Sequence, residues 1–164
     1  MDATFPGDDL LPEANVVMDR QHQLHGRVDE VWPWIQQLGK DRGGWYLPER
    51  VERRLPSRFR GLRTIDPDLR LAVGDVVPDY GPAHLAVAVL EPPHALVYRA
   101  TWGRRRYTWA LLLTSLGNDS CLLHSRFRLD KGGVVARSLG DLLDRASIGL
   151  MARGLSERLR NQAP

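Results

Sequence analysis

Residues 107–160 read YTWALLLTSLGNDSCLLHSRFRLDKGGVVARSLGDLLDRASIGLMARGLSERLR, and the change of hydrophobic period inside this stretch decides the architecture. Tyr107, Trp109, Leu111 and Leu113 alternate with less apolar neighbours, the two-residue period of a half-buried strand. Leu116-Gly117-Asn118-Asp119 is a turn signal. Beyond it Cys121, Leu123, Ser125, Phe127 and Leu129 alternate with Leu122, His124, Arg126 and Arg128. A tight hairpin places Trp109 near Ser125 and Tyr107 near Phe127 on one face, which is the expected interior. Gly132-Gly133 ends the strand, and the period lengthens to three and four residues. Val135, Leu139, Leu142, Leu143, Ala146, Leu150, Leu155 and Leu159 predict one long amphipathic helix over Val134 to Arg160, roughly 40 Å at about 1.5 Å per residue.

Working backwards, Gly103-Arg104 marks a turn that precedes the hairpin, and Ala95 to Thr101 reads as a strand after the turn Glu91-Pro92-Pro93-His94. Val73 to Val77 and His84 to Leu90 read as further strands, punctuated by Pro78 and Gly81-Pro82. Pro56 to Pro67 is an arginine-rich loop, and Trp45 to Leu55 is expected to form a short helix. Another short helix is predicted where Val31, Trp34, Ile35 and Leu38 repeat at helical spacing. Asp29 and Glu30 lie in its first turn, Gly39 stops it, and Pro33 sits early enough to cost little. Asn15 to His25 mixes apolar and polar residues as a partly exposed strand, and residues 1–14 read as an acidic arm. The chain therefore divides into the arm 1–14 and a single domain, 15–162.

A strand, two short helices, a run of antiparallel strands and one terminal helix make an α+β protein. A curved antiparallel sheet of about six or seven strands can bury its apolar face by wrapping round the last helix. A bent sheet and a straight helix cannot touch along their whole length, so this arrangement leaves a hollow between them.

With 164 residues, 43% hydrophobic and 26% charged, the composition is globular and long enough for a sizeable core. No apolar run reaches the length of a membrane span. The first residues are acidic where a secretory signal is basic, so a cytoplasmic location is expected. Cys121 is the one cysteine, which excludes an internal disulfide and multi-cysteine zinc sites. The five histidines form no metal-type pair, and no cofactor fingerprint, phosphate loop or nucleophile elbow occurs. Of the 23 basic residues only Lys40 and Lys131 are lysines, and the net charge is +3. The arginines are dispersed and not interleaved with aromatic residues, which argues against nucleic acid as a partner.

Val31-Trp32-Pro33-Trp34-Ile35-Gln36-Gln37-Leu38-Gly39, with Arg42-Gly43-Gly44-Trp45-Tyr46 after it, resembles the signature of actinobacterial-type SRPBCC proteins in the START-like superfamily, the polyketide cyclase/dehydrase-like proteins. Leu71-Ala72-Val73-Gly74-Asp75 resembles that family's approach to a strand, and Val89 to Val97 its central hairpin. Trp109 with Leu111 and Leu113, then Ser125-Arg126, resemble its last two strands. The resemblance implies a helix-grip fold with a ligand cavity. Its known members include aromatic polyketide cyclases, lipid carriers, hormone receptors, quinone-binding proteins and chaperone activators, so the fold does not select one activity.

The resemblance places Trp45 and Tyr46 at the mouth of the cavity. Tyr107, Trp109, Ser125 and Phe127 share the proposed inner face and would line it, with hydroxyls available to orient a ligand. His84, at the start of a strand near the expected opening, and Tyr107 are the candidate proton-transfer groups. The expected partner is a small hydrophobic molecule: a lipid, a polyketide or an aromatic metabolite. Two alternatives remain, a cyclase or dehydratase using the same cavity and a protein-interaction domain resembling chaperone activators. No cofactor and no metal are expected, and the sequence leaves the oligomeric state open.

Overall fold

In the computed structural model, which describes residues 4–162, strand β1 (Val16–His25) is followed at once by helix α1 (Val28–Gln37). The helix starts where the Glu30 carboxylate accepts the Arg27 backbone N–H at 2.8 Å. Its buried face, Val31, Trp32, Trp34 and Ile35, follows the predicted spacing. The second expected helix is shorter than its sequence range. Only α2 (Glu49–Glu52) forms, because Pro48 holds the chain extended before it and disfavours helical geometry at Leu47. The strand expected from Val73 is also corrected. Gly74 takes φ +95°, Asp75 closes a turn by accepting the Ala72 N–H at 2.7 Å, and β2 begins only at Val76 (Val76–Pro78).

Strands β3 (His84–Glu91), β4 (Ala95–Trp102), β5 (Arg105–Ser115) and β6 (Ser120–Leu129) complete one antiparallel sheet in the order β1-β6-β5-β4-β3-β2. The register shifts in β3, where Val87 pairs with Tyr98 but Val89 with Val97, leaving Ala88 as an extra residue. This bulge bends the strand and reverses its alternation. Leu85 and Val87 pack into the main core before it and Leu90 does so after it, while Val89 packs outward. The sheet curves round helix α3 (Val134–Gln162), giving the expected helix-grip α+β architecture.

The terminal helix does not present a single apolar stripe to the sheet. Its inner residues are Ile148, Met151, Ala152, Leu155 and Leu159. Leu139, Leu142 and Leu143, expected on the same face, are 57%, 63% and 61% exposed. At 100° per residue they lie about half a turn away from Ile148 and Leu155. The Val135 side chain lies outside the described residues. Polar groups hold the first half of the helix instead. Arg20, on the inner face of β1, pairs with Asp141 and with Asp144, the latter at 2.9 Å.

Residues 4–14 of the expected arm cover the opposite side of the sheet, and residues 1–3 lie outside the described residues. Phe5 and Leu10 pack on Ala95, Val97, Ala110 and Leu112 as a second small core. Asp8 accepts Arg126 Nε at 2.8 Å, and Arg126 also reaches Asp19 at 2.6 Å. Arg126 therefore points outward, as the alternation of β6 predicts. Cys121 is fully buried on β6, and burial pushes its thiol up to about 11, so it stays protonated near neutrality.

The strap between α1 and β2 is pinned to α3 by a buried ion pair. Arg158 Nη2 meets Glu52 Oε1 at 2.7 Å, and Arg158 also donates to the carbonyls of Leu62, Leu47 and Gly154. Glu52 further accepts the N–H groups of Leu47 and Gly61 and the guanidinium of Arg63. Burial alone would raise the Glu52 carboxyl, but the hydrogen bond and charge of Arg158, with help from Arg63, hold it below the usual carboxylate range. Glu52→Gln should cost about 3–5 kcal/mol in urea unfolding at neutral pH, because Arg158 is left buried and uncompensated. A group whose folded pKa is depressed stabilises fully above its unfolded pKa and loses that contribution as pH falls through the folded value. The gap between wild type and variant should therefore close in acid; a gap that stays constant from neutral pH into acid would exclude this assignment.

Candidate functional site

Between the curved sheet and α3 lies an inner hollow of about 140 Å³. Its apolar walls are Trp45, Leu85, Tyr107, Trp109, Phe127 and Ile148, and Asp79, Asp144 and Ser147 supply the polar groups. An outer bowl of about 470 Å³ lies against it, sharing Trp45, Asp79 and Ser147 and adding Leu47, Leu55, Phe59 and Tyr80. Phe59 and Tyr80 are about half exposed, and both the bowl and the hollow open to solvent.

Trp45 stands between the two spaces. Its indole N–H donates to the Ser147 carbonyl of α3 at 3.3 Å. Its ring lies 5.8 Å from Trp109, which stacks on Tyr98 at 5.7 Å, while Tyr80 meets Trp45 edge-on at 6.3 Å. These distances fall in the range where aromatic pairs attract, so the four rings form one column from the rim to the sheet. Tyr107 and Phe127 sit 5.3 Å apart beside it.

The predicted site residues divide by position. Tyr107, Trp109 and Phe127 share the inner face, although Trp109 pairs in register with Phe127, so its neighbour Ser125 is reached diagonally. Ser125 is buried and accepts the Trp109 indole N–H at 2.9 Å, so its hydroxyl is already used to fix the ring. Trp45 lines both spaces. Tyr46 does not reach either of them: it is fully buried, donates to the Trp34 carbonyl at 2.7 Å and lies under the Arg158 guanidinium. Successive residues of an extended segment point to opposite sides, so only one of the pair can face the hollow. His84 lies away from the hollow too, in an outer-face depression with Ala86, Arg99 and Arg106.

Sequence reasoning missed Asp79 and Asp144. Asp144 lies one helical turn before Ile148 on the inward face of α3, and an acid in that register was the available signal. Burial raises its carboxyl above the ordinary aspartate value, Arg20 opposes the shift and the charge of Asp141 adds to it. Asp79, just after β2, accepts the Tyr107 hydroxyl at 3.3 Å. Burial and the Asp79 charge raise the Tyr107 phenol, which remains a neutral donor. Among the described residues no group of three or more His, Cys, Asp and Glu is disposed to hold a metal, and no helix is long and apolar enough to cross a membrane.

No protein-family model matches the chain, and no curated protein does. Solved structures do. Norcoclaurine synthase from Thalictrum flavum in complex with dopamine and hydroxybenzaldehyde superposes with TM-score 0.58 at 16% identity, over 100% of this chain and 98% of that one. A structural-genomics target from Mesorhizobium loti gives 0.57 at 14% identity, over 91% of this chain and 100% of that one. CalU16 from Micromonospora echinospora gives 0.53 at 15% identity, over 89% and 92%. The chain thus has the helix-grip fold that these solved structures share.

The strap that carries Trp45 rests directly on Gly154. A Cβ there would sit 2.5 Å from the Tyr46 carbonyl oxygen and 2.6 Å from the Leu47 carbonyl carbon, whereas at Gly149 it would meet nothing within 4 Å. Gly154→Ala should cost about 1–3 kcal/mol by overpacking and shift the tryptophan emission as Trp45 moves. Gly149→Ala should be neutral or stabilising by up to about 1 kcal/mol. Thermal unfolding with fluorescence detection compares them, and equal behaviour of the two would refute the close docking of strap and helix.

Proposed function

We propose that this protein binds one small apolar molecule carrying an aromatic ring, with the ring in the inner hollow and the remainder in the outer bowl. The observation that carries this reading is the aromatic column, which leaves free space on both sides of Trp45 in place of a filled core. A cavity of about 150 Å³ accepts a single benzene-sized ring. The inner volume therefore favours an aromatic metabolite over a long acyl chain, and the bowl accommodates what the ring bears. That a structure of the same fold holds dopamine and hydroxybenzaldehyde, both single-ring molecules, supports the reading. The alternative of an interaction domain that expects a filled core has less support.

Native mass spectrometry of freshly purified protein, followed by organic extraction, is expected to detect a stoichiometric small-molecule adduct. Ser147→Phe projects a ring from an exposed position into both spaces and should abolish the adduct without lowering the thermal midpoint. A clean mass, with no thermal shift across single-ring and polyketide panels, would overturn the reading.

A second reading, a cyclase or dehydratase, is favoured by one observation: the inner hollow brings the raised Asp144 carboxyl and the Tyr107–Asp79 hydrogen bond onto one ligand space. It expects Tyr107→Phe to abolish turnover of a polyketide-like substrate while binding persists, and His84→Ala to leave turnover unchanged. Retained turnover in Tyr107→Phe would remove this phenol from the mechanism.

A further inference from the structure

We propose that the pocket selects an organic cation, an arylalkylamine in its ammonium form, and places the ammonium between Asp144 and Asp79. This rests on the binding function proposed above and names the chemistry of its ligand.

The composition of the walls makes the first argument. The chain has 23 Lys and Arg against 20 Asp and Glu, yet among the described residues no Lys, Arg or His lines either space, and both carboxylic acids that do are aspartates. Six aromatic residues share the walls with them: Trp45, Phe59, Tyr80, Tyr107, Trp109 and Phe127. Aromatic faces carry partial negative charge and attract cations, most strongly where water is excluded. A carboxylate or phosphate ligand would meet repulsion from both acids and from the ring faces.

The hydrogen bonding of the two acids makes the second. Asp144 Oδ2 lies 2.9 Å from Arg20 Nε as an ion pair without hydrogen-bond geometry, and the same guanidinium also serves Asp141, so one positive charge is divided between two carboxylates. Asp144 Oδ2 is buried without a hydrogen-bond partner among the described residues. Asp79 has no ion pair among them either; it accepts only the Tyr107 hydroxyl at 3.3 Å and the Tyr80 N–H at 2.7 Å. The wall of the inner hollow that carries both acids is thus short of positive charge, and an ammonium group supplies it. The upward shift of the Asp144 carboxyl agrees with a buried acid that is incompletely compensated.

The test uses three probes of one shape, benzylamine, benzyl alcohol and benzoate, titrated at neutral pH into the full-length protein and followed by tryptophan fluorescence and calorimetry. Benzylamine should bind about tenfold more tightly than benzyl alcohol, with benzoate weakest. Asp144→Asn should remove most of that preference, weakening benzylamine far more than benzyl alcohol. Because Asp144 also pairs with Arg20, Asp79→Asn provides a second variant that breaks no ion pair and should reduce the preference as well. If benzyl alcohol or benzoate binds as tightly as benzylamine, the charge selection is wrong and the cavity remains a neutral aromatic site. If none of the three binds and the neutral dye Nile red also fails, both the selection and the binding reading fall.

Discussion

The strap between the first helix and the second strand, residues 38–75, contains little regular structure, yet it supplies one wall of the pocket. It is held by the buried contact of Arg158 with Glu52. Taking both charges out of water is costly, and the site offsets that by satisfying nearly every donor and acceptor. Arg158 donates to three backbone carbonyls, and Glu52 accepts two backbone N–H groups. All of those backbone groups except the Gly154 carbonyl of α3 belong to the strap, so the ion pair replaces the hydrogen-bond ladder that an irregular segment lacks. Trp45 then comes to lie over α3, and Phe59 and Tyr80 frame the rim.

Charged groups set the remaining geometry as well. Arg20 sits under the first half of α3 where an apolar residue would let helix and sheet close together. The helix is held above the sheet by polar pairs there and by packed side chains only from Ile148 onward. The inner hollow lies where one regime passes into the other, beside Asp144 and Ile148. On the opposite side of the sheet the N-terminal residues shield Ala95, Val97, Ala110 and Leu112, tied down by Asp8 with Arg126 and Arg128. Both faces of the central strands are consequently buried, as β4 shows in its run of four buried residues.

The rigid and the open parts of the architecture are separated. Trp109 is fixed by Ser125 and stacked on Tyr98, giving a preformed floor. Trp45 is held by one indole hydrogen bond and sits beside free volume, so it is the ring best placed to adjust to a ligand. The likeness to norcoclaurine synthase and CalU16 extends to the fold alone.

The alternation in Tyr107–Leu113 and Cys121–Leu129, the turn residues between them and the long terminal helix were determined by sequence alone, because strand and helix periods are local properties. They also placed Tyr107, Trp109 and Phe127 on one face. Tertiary structure decided the rest. Ala88 enters a bulge only when β4 is present to set the register, and Pro48 left α2 shorter than the apolar pattern suggested. Leu139, Leu142 and Leu143 followed a helical period faithfully and still faced outward, since periodicity defines a stripe but not which stripe meets the sheet. Asp79 and Asp144 are sixty-five positions apart and came to share a hollow because strand and helix meet there. Pairings over such separations depend on how the whole chain closes and leave no mark on the local pattern.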